Sequence, residues 1–206
     1  MPAETAAMPD DLRQGAAMPW RERMPLPPRE SMSQEQRAAA QALVDGPRKG
    51  VWGPFLPLLR SPRLLDRVAG LGEYLRFGCA LEPRVRELAT CVAARHTANQ
   101  FEWQMHAPLA VQAGVSAQAI ELLRQGARPV PLADDEQVAV DVSLELLRTH
   151  GCSDPTYAAA RARFGEQGVV ELVALVGYFV MVCWVMNVAH TPAHKRNGAP
   201  MPAFPL

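Results

Sequence analysis

Three side chains near the middle of the sequence have the types and spacing for proton transfer. Glu102 and His106 are four residues apart, so on a helix they project from one face. Glu87 precedes them on a segment that a short turn folds back alongside. A carboxylate beside an imidazole fixes its tautomer and raises its pKa, which keeps the group useful for acid–base work near neutral pH. Trp103, Trp52 and Phe55 could supply apolar walls that exclude water. The same residues admit plainer roles. Glu102 could be only the acid of an Asn99-x-x-Glu102 capping box, and His106 a satisfied interior histidine. Glu87 could be a surface acid paired with Arg84 or Arg95, and Trp103 a core residue.

Other chemistry has less support. Cys79, Cys91, Cys152 and Cys183 are far apart and form no CxxC or zinc-ligand spacing. A disulfide framework is not expected in a domain with a good core of its own, and Cys91 reads as a small buried apolar residue. His190 and His194 are also four apart, but Pro192 breaks the helix that would align them on a metal. No metal and no cofactor is expected. The 21 Lys and Arg balance 21 Asp and Glu, so the surplus of cations that a nucleic-acid binder needs is missing.

The elements that must position these groups are helices. Apolar residues make up 49% of the 206 and charged residues 20%, enough to bury one sizeable core. Residues 1–32, rich in Met, Pro and Arg, read as an extended or disordered arm, and residues 193–206 as a Pro-rich tail. Between them, residues 33–192 read as a single all-α domain of about eight helices. Ser33 opens the first, which Gly46-Pro47 closes; Ser61-Pro62 opens the second and Glu82-Pro83 the third. On the third, Val85, Leu88, Ala89, Val92 and Ala93 recur as one buried face. Asn99, Ser116, Asp134 and Asp154-Pro155 start four more, and an apolar helix from about Gly168 to His190 is the eighth. The loop GPRKGVWGPFLPLLR carries prolines that forbid regular helix and apolar residues that need burial, so it should wrap a core or line a pocket. No sustained alternation marks a strand. The uncharged run Leu172 to Met186 falls short of a bilayer span. With no secretory h-region in MPAETAAMPDDLRQG, no membrane role is expected and the cytoplasm is the default compartment.

The order Arg86-Glu87-Leu88, Glu102-Trp103-x-x-His106, Ala110, Gly114-Val115-Ser116 and Ile120 resembles the carboxymuconolactone decarboxylase family, which includes the alkyl hydroperoxidase D-like proteins. Weaker similarity runs through Gly53-Pro54-Phe55, Ser61-Pro62 and Tyr74-Leu75-Arg76 to Glu171-Leu172 and Asn187, covering about residues 40–190. The peroxidase branch's pattern Glu-x11-Cys-x2-Cys-x3-His falls here on Glu87, Asn99, Glu102 and His106, so both cysteines are replaced. Thiol-based peroxide reduction needs an attacking thiolate and a resolving partner; the lyase branch, which needs neither, fits better. The resemblance implies the alkyl hydroperoxidase D-like fold and cofactor-independent decarboxylation or isomerisation of a small lactone or unsaturated acid. In that reading His106 moves the proton, Glu87 orients it and Glu102 is a second acid–base group. Trp103, Asn99, Cys91, Trp52 and Phe55 surround the substrate, and Arg76 and Arg86 meet its carboxylates. The resemblance also implies a homotrimer or hexamer. Two alternatives remain: a hydroperoxide reductase using Cys91, and a non-catalytic oligomer that binds a small molecule.

Overall fold

The computed structural model describes residues 21–193 and 199–202. The first part of the expected arm, His194 and most of the Pro-rich tail lie outside the described residues. Among the described residues eight α-helices build the fold: α1 (Gln34–Asp45), α2 (Phe55–Leu58), α3 (Pro62–Glu73), α4 (Pro83–His96), α5 (Gln100–Gln112), α6 (Ala117–Arg124), α7 (Asp134–Thr149) and α8 (Asp154–Ala189). No strand occurs among the described residues. The starts follow the expected chemistry. Ser33 and Gln36 form a capping box on α1, and α3, α4 and α8 each carry proline in the first turn, where no N–H is needed.

Two elements depart from the sequence reading. The Pro-rich loop contains one helical turn, α2, because Pro54 and Pro57 sit at its start, where a missing donor costs nothing. Its residues Phe55, Pro57 and Leu58 are buried. The expected seventh and eighth helices run on as one element, α8, but Gly165 interrupts it with φ 67° and ψ 175°. Only glycine adopts that conformation readily, so the physical boundary lies three residues before the expected one.

α4 is the axis of the domain and packs against α5, α7 and α8. It is buried on two sides, not the one expected. Val85, Ala89 and Ala93 join the core built with α3 and α8, whereas Leu88, Cys91, Val92 and Ala94 join a second core with Trp103, Ala110, Ile120 and Leu123. α8 is long and apolar enough to cross a membrane by length and composition, more than the 15-residue run suggested, yet 56% of its most apolar window is buried inside the protein.

The described part of the arm is held by its own chain. The Arg23 backbone N–H donates to the Ala189 carbonyl at 2.8 Å, and Arg60 donates to the Pro25 carbonyl at 2.5 Å. The tail residue Met201 is likewise buried, exchanging hydrogen bonds with the Gln100 side chain at 2.9 and 3.0 Å. His190 ends α8 in a left-handed conformation.

Gly165→Ala should lower stability by about 1–3 kcal/mol. Nothing lies within 4 Å of the added carbon, so backbone strain is the whole cause. A urea unfolding curve, with unchanged far-UV CD before the transition, checks it.

Candidate functional site

Because α5 folds back beside α4, three groups meet. His106 Nδ1 lies 2.6 Å from Glu87 Oε2, and His106 Nε2 lies 3.1 Å from Glu102 Oε2. Competing partners for Glu87 are occupied elsewhere. Arg84 pairs with Asp135 and lies 3.7 Å from Glu136, and Arg95 Nε donates to the Leu123 carbonyl. Nor does Glu102 close a capping box. Asn99 Oδ1 does accept its backbone N–H at 2.9 Å, but the Glu102 carboxylate turns to the imidazole instead of returning to the Asn99 N–H. The Phe179 ring meets His106 edge to face at 4.9 Å and fixes the ring plane from the side of α8.

The ring is buried, and burial opposes its charged form. Hydrogen bonds and charge from Glu102 and Glu87 outweigh that, and the His106 pKa is raised to about 9. At neutral pH both ring N–H groups therefore donate, each to one carboxylate. Burial pushes the Glu87 carboxyl up, but the hydrogen bond and charge of His106, with the nearby Arg76 and Arg86, bring it below the usual carboxylate range.

Glu102 and His106 open onto a cavity of about 260 Å³. Phe101 and Met105 of α5 line one flank, Tyr178 and Phe179 of α8 the floor, and Arg48, Trp52, Pro54 and Phe55 the roof. Gly53, at φ 53°, lets the roof approach: a Cβ there would stand 2.4 Å from the Phe101 ring. Arg76 and Phe77 enter from a five-residue π-helical stretch, Tyr74–Gly78, that continues α3. Glu171 pins this stretch by accepting from Tyr74 Oη at 2.5 Å and from the Ala80 N–H at 2.8 Å.

Of the expected substrate contacts, Trp52, Phe55 and Arg76 line this cavity and four others do not. Trp103 is 1% exposed in the second core and donates its indole N–H to the Ala199 carbonyl. Asn99 donates to Asn187 Oδ1 at 2.8 Å and so ties the start of α5 to the end of α8. Cys91 faces the α4–α5 core; burial, then the charge of Glu87, pushes its thiol well above the ordinary range. Arg86 turns back to the Leu81 carbonyl. Arg48, Phe77, Phe101, Met105, Tyr178 and Phe179 were not anticipated. Phe101 and Met105 had a signal, since they are spaced i, i+4 and adjoin Glu102 and His106. Among the described residues no group of three or more His, Cys, Asp or Glu is placed to hold a metal ion.

Fold and site together define an all-helical protein whose imidazole is held between two carboxylates at the wall of a small aromatic cavity. Residues 62–145 match the carboxymuconolactone decarboxylase family. A peroxidase-related protein from Ralstonia eutropha JMP134, described as an alkylhydroperoxidase AhpD core, is similar in structure. Its TM-score is 0.68 at 14% identity, over 84% of this chain and 92% of that one. A protein of unknown function from Agrobacterium tumefaciens, described as a candidate antioxidant defence protein AhpD, gives 0.60 at 18% identity, over 68% of this chain and 96% of that one. No curated protein matches the chain.

The raised His106 pKa couples to folding. Its folded value, about 9, lies above the ordinary 6.5, so the stabilisation is fully present below pH 6.5 and is lost as pH rises through about 9. Urea midpoints should therefore fall across that window in the wild type and stay flatter in His106→Gln. An NMR titration of the ring should give an apparent pKa near 9 that drops in Glu87→Gln.

Proposed function

We propose that this protein is a cofactor-independent acid–base enzyme that decarboxylates or isomerises a small lactone or unsaturated carboxylic acid. The observation that carries this reading is the two-sided clamp on His106, with Glu102 and the ring facing the cavity and Glu87 behind them. In a decarboxylation, the bond to the departing carboxylate breaks and its electron pair flows into the conjugated carbonyl, giving a dienolate. His106 Nε2 yields its proton through Glu102 to the distant carbon, and the charge of Glu87 holds the ring in place. In an isomerisation, Glu102 removes a proton and the same pair returns it to another carbon. The aromatic walls limit water that would quench the enolate elsewhere.

One structural neighbour is called peroxidase-related and the other a candidate antioxidant defence protein, but thiol chemistry has little support in this chain. All four cysteines are free, Cys91 is buried off the cavity, and the positions for a redox pair hold Asn99 and Glu102. The chain also acts as a homo-oligomer in this proposal. Val170, Val173, Trp184 and Val188 leave an exposed apolar stripe along α8 that a second copy would cover.

With a panel of small lactones and unsaturated acids, His106→Asn and Glu102→Gln should each lower kcat about 100-fold or more, whereas Cys91→Ser should leave turnover unchanged. Full turnover in both acid–base variants would remove the reading, and loss in Cys91→Ser would favour peroxide chemistry. Trp184→Asp should reduce the mass measured by light scattering, with helicity retained.

A further inference from the structure

Arg48 and Arg76 are the two guanidinium groups that line the cavity, and neither is in an ion pair with a carboxylate among the described residues. Arg84, Arg124, Arg128, Arg161 and Arg163 are instead each turned to an acid outside the cavity. Arg76 Nε is moreover buried without a hydrogen-bond partner, a costly state for a charged group. Both guanidiniums do have fixed seats. Arg48 Nη2 donates to the Ala69 carbonyl at 3.0 Å and its plane stacks 4.4 Å above the Phe55 ring. Gly72 leaves room beneath, since a Cβ there would stand 2.1 Å from the Tyr178 hydroxyl and 3.3 Å from Arg48 Nη2. Arg76 stands 5.0 Å from the Phe77 ring on a stretch pinned by Glu171. They are held in place, and among the described residues no carboxylate stands within ion-pair distance of either.

Resting on the acid–base reading above, we infer that Arg48 and Arg76 form a carboxylate clamp and that the substrate is a monoanion with one carboxylate and a flat apolar body. Both His106 ring nitrogens already face carboxylates, so the two guanidiniums are the cations left to meet a ligand, and one such pair takes one carboxylate. Burial lowers the Arg48 pKa, with the facing Arg76 lowering it further, a repulsion that a bridging carboxylate relieves. The rest of the wall is mainly aromatic, with Met105 and two prolines, and brings no further cation to a second carboxylate. About 260 Å³ accommodates a body of one ring. Arg48 and Phe55 also precede residue 62, where the family match begins, so this half of the clamp comes from a segment outside the matched region. The loop thus sets which acid is accepted, while α4 and α5 supply the proton.

Calorimetric titration of the full chain with sodium benzoate at pH 7 tests the clamp without requiring turnover. Benzoate should bind, its neutral counterpart benzamide about tenfold or more weaker, and terephthalate no tighter than benzoate. Arg48→Gln and Arg76→Gln should each weaken benzoate about tenfold and leave benzamide unchanged, and Arg48→Lys should retain part of the affinity. CD spectra verify folding, and if one glutamine variant does not fold, the other carries the test. Benzoate no tighter than benzamide, or benzoate binding unaffected by the substitutions, overturns the clamp. Turnover of a neutral lactone with no benzoate binding would remove the clamp and leave the acid–base reading standing. Benzoate binding as expected with a panel that is never turned over would do the reverse.

Discussion

A single imidazole with a carboxylate on each nitrogen governs the architecture around it. Burial is the largest single influence on His106 and acts against the proton, and the two acids together outweigh it. They come from different helices, Glu87 from α4 and Glu102 from α5, so the charge state of the ring depends on the packing of that pair. α4 must therefore be rigid on both sides, and its burial between two cores supplies that rigidity. The Asn99–Asn187 hydrogen bond and the Asn187 bond to the Thr97 carbonyl then anchor the connecting turn to α8. The same α8 places Phe179 on the ring's edge.

This arrangement divides labour along the sequence. α4 and α5 hold the titrating groups, within the stretch that matches the family. The roof residues 47–55 and the π-helical stretch hold the cations and much of the aromatic surface. Proton chemistry and substrate selection thus rest on elements that can change separately. The roof is fastened by few interactions, chiefly Arg48 to Ala69, Phe55 in the core and the contact that Gly53 allows with Phe101.

The helices and the acid–base trio were legible in the sequence because their signals are local. Prolines at first turns, the Ser33 cap and the Glu102–His106 spacing each depend on a few neighbouring residues. What the spacing did not decide was which flank of α5 faces the cavity. Trp103 is turned about 100° from Glu102 and went into the core, whereas Phe101 and Met105, on the opposite flank, became the wall. Tyr178 and Phe179 were hidden for another reason: α8 is apolar on nearly every side, and only its packing shows which residues reach the site. Arg48 lay in a loop expected either to wrap a core or to line a pocket, but its direction is set by Ala69, Tyr178 and Gly72, contacts between distant segments.

The π-helical stretch carries one more residue per turn than the helix it continues. Shortening it by one would restore ordinary winding and swing everything downstream by about 100°. Leu75, now buried, and Arg76, now at the cavity, could not both keep their places. A single surplus amino acid, absorbed as a bulge and stapled by Glu171, sets the winding that turns the oily anchor inward and aims the cation beside it at the hollow.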